Sequence, residues 1–344
     1  MMLGVFAHAA IEYSGWSLAP DSSDRSIFAH TFLIFSYAFR MEAFLFLSGF
    51  FARLLYVRRG PATFVVNRLK RIAVPLLVML LPVNIARAML QTQTGGGFAG
   101  YGLSGDGVWP LRPGYLWFLY YLMFFLAAAL IVARLPKLNL RFLDSLGSYA
   151  APLVLAVPTA IVLSGTTGGF TTPVSFVPDL RLLLHFGFFF TIGWLFQGRE
   201  GRIGRLADGL AIRIGLAVVA LIAMLGLMGV GERLGERVVW AGLYARGLFA
   251  WYMTFAFTGF FLRFFARPGK VVSYLADASY WTYLTMLPIL ILFQTRLRRS
   301  AIPIGLEYVI SVALTFAVCL LSYHFLVRST AVGRLLNGRR VARV

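Results

Sequence analysis

Apolar residues in this chain come in long unbroken runs, and short polar stretches separate the runs. A spanning helix needs about 20 predominantly apolar residues. Windows of that kind fall near residues 1–16, 28–56, 72–92, 115–133, 149–164, 180–197, 207–230, 238–262, 271–293 and 304–327. The pattern predicts an all-α polytopic membrane protein with about ten transmembrane helices, forming one domain over residues 1–344 with no internal repeat at a fixed period. The first run is short and no positive charge precedes it, so it is expected to be the outer part of a first helix whose inner start is missing. Pro152 and Pro158 in the fifth run and Pro288 in the ninth predict kinks. The stretch from Arg40 through FLFLSGFF is expected to continue the second run as one unbroken helix. It should end in a basic loop at Arg58, Arg59, Gly60 and Pro61.

Composition sharpens this picture. The chain is 59% hydrophobic and 13% charged, with mean hydropathy +0.78, too apolar to build a water-soluble surface. A formal charge of +19 raises the question of nucleic acid. The basic residues, however, sit in short loops between apolar runs rather than along one amphipathic face, so the lipid bilayer is the expected partner and nucleic acid is not. Cys319 is the single cysteine, which rules out an internal disulfide and a thiol metal cluster.

Charge also orients the chain. Loops on one side carry nineteen Lys and Arg, among them Arg58, Arg59, Arg68, Lys70 and Arg71, whereas the alternate loops carry eight. By the positive-inside rule the first set is cytoplasmic, and with it the basic C-terminal tail 328–344. Arg296, Arg298 and Arg299 then lie on the outer side, either in a solvated loop or against an anionic acceptor or lipid head group. The outer loops near 93–114 and 165–179 are rich in Gly, Thr and Pro and lack a helical pattern.

Ionisable residues inside apolar runs are costly and point to function. His8 sits about 12 Å below the outer end of the first run at 1.5 Å per residue. Glu12 is four residues later on the same helix face, where its carboxylate could orient the imidazole as a general base. A satisfied structural His and Glu is the plainer reading of that pair. Arg40 lies roughly 18 Å into the second run, near the level of His8. It could hold a carbonyl or an acyl carboxylate, or form a structural ion pair with Glu12 or another acid. Glu42 points about 200° away around the helix and needs its own partner. His30 is placed at the outer mouth of the second run, and His185 and His324 are expected to be packed or interfacial. No two of the four His residues have metal-ligand spacing, so no metal site is expected. A G-x-S-x-G elbow, a P-loop and a dinucleotide fingerprint are all missing.

Several stretches, taken in order, resemble the acyltransferase 3 family of membrane acyltransferases, in particular its branch that succinylates periplasmic glucans. They are LGVFAHAA with His8, RMEAFLFLSGFFARLL from Arg40, and RLKRIAVP with Arg68, Arg71 and Pro75. GYLWFLYYL from Gly114, ADASYWTYLTMLP from Ala276 and the tail VRSTAVGRLLNGRR from Val327 complete the set. The resemblance implies that His8 is the catalytic base. It implies that Arg68 and Arg71, an R-x-x-R at a cytoplasmic helix end, hold the phosphates of acyl-CoA, with Arg58 in the preceding basic loop. The same arginines also fit as ordinary positive-inside anchors. The family's basic residue ten positions ahead of the His would fall before Met1, and relatives often carry His where this chain has Met286. No permanently bound cofactor is implied. The co-substrate is succinyl-CoA or acetyl-CoA, the acceptor a periplasmic glucan or other carbohydrate, and the location the bacterial inner membrane. A transporter or flippase for a glycan or small anion is the alternative from another class, since spans and buried charges fit it equally.

Overall fold

The computed structural model describes residues 1–14, 26–94, 111–134, 145–165, 173, 175–197, 203–298, 300 and 302–338. Among the described residues the regular structure is helical throughout: α1 (Leu3–Ile11), α2 (Ile27–Tyr37), α3 (Arg40–Arg68), α4 (Val74–Thr94), α5 (Trp117–Val132), α6 (Ala151–Leu163), α7 (Leu180–Phe196), α8 (Leu210–Leu234), α9 (Glu236–Phe264), α10 (Lys270–Leu297), α11 (Ile304–Ser322) and α12 (Ala331–Asn337). Helices are the expected outcome of such runs, because in lipid every backbone polar group has to be satisfied within the segment. Among the described residues five stretches are long and apolar enough to cross a membrane: Ile27–Ala86, Gly114–Val132, Leu210–Gly231, Lys270–Leu297 and Ile304–Val327. The helices α6 and α7 are apolar but shorter, at 13 and 17 residues. The Gly-, Thr- and Pro-rich loops expected on the outer side fall largely at 95–110 and 166–172, outside the described residues, as do Arg299 and the last residues of the tail.

The predicted unbroken helix over 28–56 is two helices. α2 ends at Tyr37 and α3 begins at Arg40, with Phe39 at φ −145° between them. Neither Gly nor Pro marks the break, so its cause is tertiary. Phe39 is drawn into an aromatic cluster, 6.0 Å from the rings of both Phe249 and Phe257. Breaking the chain there puts Arg40 in the first turn of α3.

At residues 58–61, where the basic loop is expected, the chain breaks and two helices meet across a kink. Gly60 adopts φ 77° and ψ 169° and Pro61 restarts the helix, which runs on to Arg68. Only glycine takes that φ without strain. A π-helical turn, Leu69–Ala73, then leads into α4.

Two glycines let α3 and α7 cross at backbone contact. A Cβ on Gly49 would lie 2.0 Å from the carbonyl oxygen of Phe190, and one on Gly193 would lie 1.9 Å from that of Phe46. Small residues of this kind are how membrane helices approach closely. Around the crossing, Trp251 of α9 stacks on Phe189 at 3.9 Å and donates through its indole N–H to Thr159 of α6 at 3.0 Å. Asp179 caps α7 by accepting from the N–H groups of Arg181 and Leu182. On the other side of the molecule α1 packs against α2, α10 and α11.

Candidate active site

The helices α1, α2, α3, α5 and α10 converge on a cavity of about 60 Å³. His8 from α1 and Arg40 from α3 both line it. Its other walls include Tyr37, Phe44, Trp117, Phe118, Tyr283 and Met286. The wall facing α10 is fixed by a reciprocal pair of hydrogen bonds. Tyr115 donates to the carbonyl of Leu284 at 2.7 Å and Tyr283 donates to the carbonyl of Tyr115 at 2.9 Å.

Arg40 is buried, 7% exposed, with its guanidinium 5.2 Å over the Tyr37 ring and Nη1 donating to Ser36 Oγ at 3.4 Å. It is the charge that acts on His8. A cation and an imidazole therefore share one largely apolar chamber, where electrostatic interactions are strong. Met286 occupies this chamber too, within 3.3 Å of where a side chain on Gly4 would begin. Met286, where the resemblance leads one to expect a His, thus lines the same cavity as His8.

Glu12, one turn beyond His8, forms an ion pair with Arg298, which caps the end of α10. That pairing corrects the expectation of a solvated or lipid-bound outer arginine at this position. Beside it, Gln294 of α10 donates to the carbonyl of Ala9 at 3.0 Å, tying α1 to α10. His30 lies at this end as well, with Nδ1 3.0 Å from the carbonyl oxygen of Ser14.

Glu42 faces away from the cavity, as its angular offset from Arg40 predicts, and its partners come from two other helices. His185 of α7 donates through Nε2 to Oε1 of Glu42 at 3.0 Å, and Nη2 of Arg246 on α9 lies 3.7 Å from the same oxygen. All three side chains are almost fully buried. Sequence reasoning left Glu42 without a named partner, placed His185 as packed or interfacial, and gave Arg246 no role. The available signal was depth, since Arg246 interrupts an apolar run as surely as Arg40 does.

Arg68 and Arg71 flank the start of the π-helical turn, both half-buried. Arg68 sits 5.5 Å over the Phe64 ring. Arg71 has Arg59 and Asp277 as charged neighbours, and its carbonyl accepts from the Tyr280 hydroxyl at 2.6 Å. Arg58 is exposed; Arg59 is the residue of that basic segment that acts on Arg71. One turn of α10 separates Tyr280, which touches Arg71, from Tyr283, which lines the cavity. The two rings stack at 6.4 Å with planes 18° apart.

These features define a class: a helical, multi-pass membrane protein with a half-buried His and a buried Arg lining one cavity, and with Arg68 and Arg71 at a helix junction that α10 contacts through the Tyr280 hydroxyl and the Arg71 carbonyl. The family model described as an acyltransferase domain matches residues 1–324, and the chain belongs to that family, acyltransferase 3. Among characterised proteins it is similar to glucans biosynthesis protein C of Escherichia coli strain SMS-3-5, at 26% identity over 163 residues. The aligned part is 46% of this chain and 42% of that relative. The protein of the same name from Shigella dysenteriae serotype 1 is 25% identical over the same length and share, and that of Escherichia coli K12 is 26% identical. The match thus spans less than half the length of these relatives. No solved structure matches the chain.

Proposed function

We propose that this protein is a membrane O-acyltransferase of the bacterial inner membrane. It moves an acyl group, succinyl in this reading, from cytoplasmic acyl-CoA to a hydroxyl of a periplasmic glucan or related carbohydrate. Family membership supports the reaction class, and the name of the similar proteins supports a glucan acceptor. The observation that carries the proposal is the single turn of α10 between Tyr280 at Arg71 and Tyr283 in the cavity of His8 and Arg40. In this reading a donor whose phosphates rest at Arg68 and Arg71 extends along α10 toward His8.

In this mechanism the acceptor hydroxyl enters from the outer side and gives its proton to the neutral imidazole of His8. The alkoxide oxygen attacks the thioester carbon, and Arg40 stabilises the oxyanion that forms or holds the free carboxylate of a succinyl group. The tetrahedral intermediate collapses, the carbon–sulfur bond breaks, and the thiolate of coenzyme A takes the proton from His8. An ester and a free thiol result, and the base is restored. Glu12 and Arg298, one turn outward, would orient the outer end of α1.

The test is binding of labelled succinyl-CoA and acetyl-CoA to the purified protein, with the Arg68→Ala/Arg71→Ala double variant alongside. One donor should bind, and the double variant should lose it. Equal binding by wild type and double variant would place the donor elsewhere.

A further inference from the structure

The basic tail expected from the sequence is in part a docked element. α12 packs against the π-helical turn 69–73, against α10 and against a second π-helical turn, Tyr323–Val327. Docking is tight: a Cβ on Gly333 would lie 2.4 Å from the carbonyl oxygen of Val327. Leu336 is buried, and Asn337 donates to the Tyr323 hydroxyl at 3.0 Å. The helix closes with Gly338 in the left-handed conformation, φ 74°, its N–H donating to the carbonyl of Arg334 at 2.8 Å. Glycine is the residue expected there, because a Cβ is unfavourable at that φ.

Its location is informative for a second reason. A Cβ on Gly338 would begin 2.8 Å from Nη2 of Arg71 and 3.2 Å from its Cζ. The guanidinium of Arg71 therefore lies on the glycine itself, between the end of α12 and the start of α4. Tyr280 holds the backbone of Arg71, and Gly338 bounds the far end of its side chain. The arginine is steadied at both ends by elements distant in sequence.

We infer that α12 is a wall of the anionic donor site, and that Gly338 is a positioning residue that sets where the Arg71 guanidinium meets the donor's phosphates. This rests on the reading of Arg68 and Arg71 as the phosphate site. The ligand class is a phosphorylated nucleotide carrier such as coenzyme A. A side chain at 338 meets the flexible tip of an arginine rather than backbone, so its first effect is to push the guanidinium aside and leave the fold intact.

Gly338→Asn separates contact from strain, because Asn tolerates the left-handed region yet carries the Cβ. The probe is labelled coenzyme A, bound to the full chain in detergent, in a cycle with Arg71→Lys, which keeps the charge and lacks Nη2. Gly338→Asn is expected to weaken binding about fivefold or more in the wild-type background and less than about twofold in Arg71→Lys, the non-additivity of residues in contact. A merely structural tail would give equal losses in both backgrounds. That result, or unchanged binding by Gly338→Asn with Arg71 in place, overturns the inference while leaving the donor site standing. Wild-type protein that binds no coenzyme A removes the donor site and this inference together.

Discussion

His185 on α7 donates to Glu42 on α3 at 3.0 Å, and the carboxylate oxygen it reaches is the one that Arg246 of α9 approaches at 3.7 Å. Glu42 is two residues from Arg40, so this buried cluster fixes the segment of α3 that delivers Arg40 to the cavity of His8. The cavity of His8 and Arg40 is thus braced by a buried charged cluster on the opposite face of α3.

Removing the acid should therefore do structural damage. Glu42→Ala leaves Arg246 and His185 buried beside an absent partner, a change that costs about 3–5 kcal/mol in such settings. Thermal unfolding in detergent should show a lower midpoint and a reduced yield of monodisperse protein. Glu42→Gln, which keeps a hydrogen-bond acceptor for His185, should lose less.

The α3–α7 crossing offers a second check. At Gly49 and Gly193 an added Cβ meets backbone carbonyls at about half the normal contact distance. Gly193→Ala is predicted to destabilise the protein by about 1–3 kcal/mol through forced separation of the helices. Gly215→Ala on α8, where a Cβ meets nothing within 4 Å, should hold or slightly raise the midpoint in the same melt.

Donor choice can be read at Arg40. If its guanidinium holds the free carboxylate of a succinyl group, Arg40→Gln should lower succinyl transfer more than acetyl transfer. The difference should be about tenfold or more, the worth of one hydrogen bond to a charged group. Equal losses with both donors would assign Arg40 to the oxyanion alone.

Much of this molecule was legible in the sequence because apolar runs in a membrane protein have few alternatives to helix. His8 and Arg40 were legible as a pair by depth, since residue count along a helix converts directly to distance across the bilayer. The break before Arg40 was not, because the residues that cause it, Phe249 and Phe257, lie more than two hundred positions away. Partners across helices were equally hidden. Periodicity showed that Glu42 faces away from Arg40, but not that His185 and Arg246 wait on that face. The docking of α12 against Arg71 depends on Gly333 and Gly338, to which no pattern in the sequence assigns a role.

The most direct measurement of the central claim is acyl transfer in vesicles, with labelled acyl-CoA on the cytoplasmic face and a glucan acceptor on the other. His8→Ala protein that melts like wild type and still binds coenzyme A should transfer slower by about 10²–10⁴-fold, the usual worth of a general base. Transfer at the wild-type rate by that variant would contradict the account and remove His8 from the chemistry.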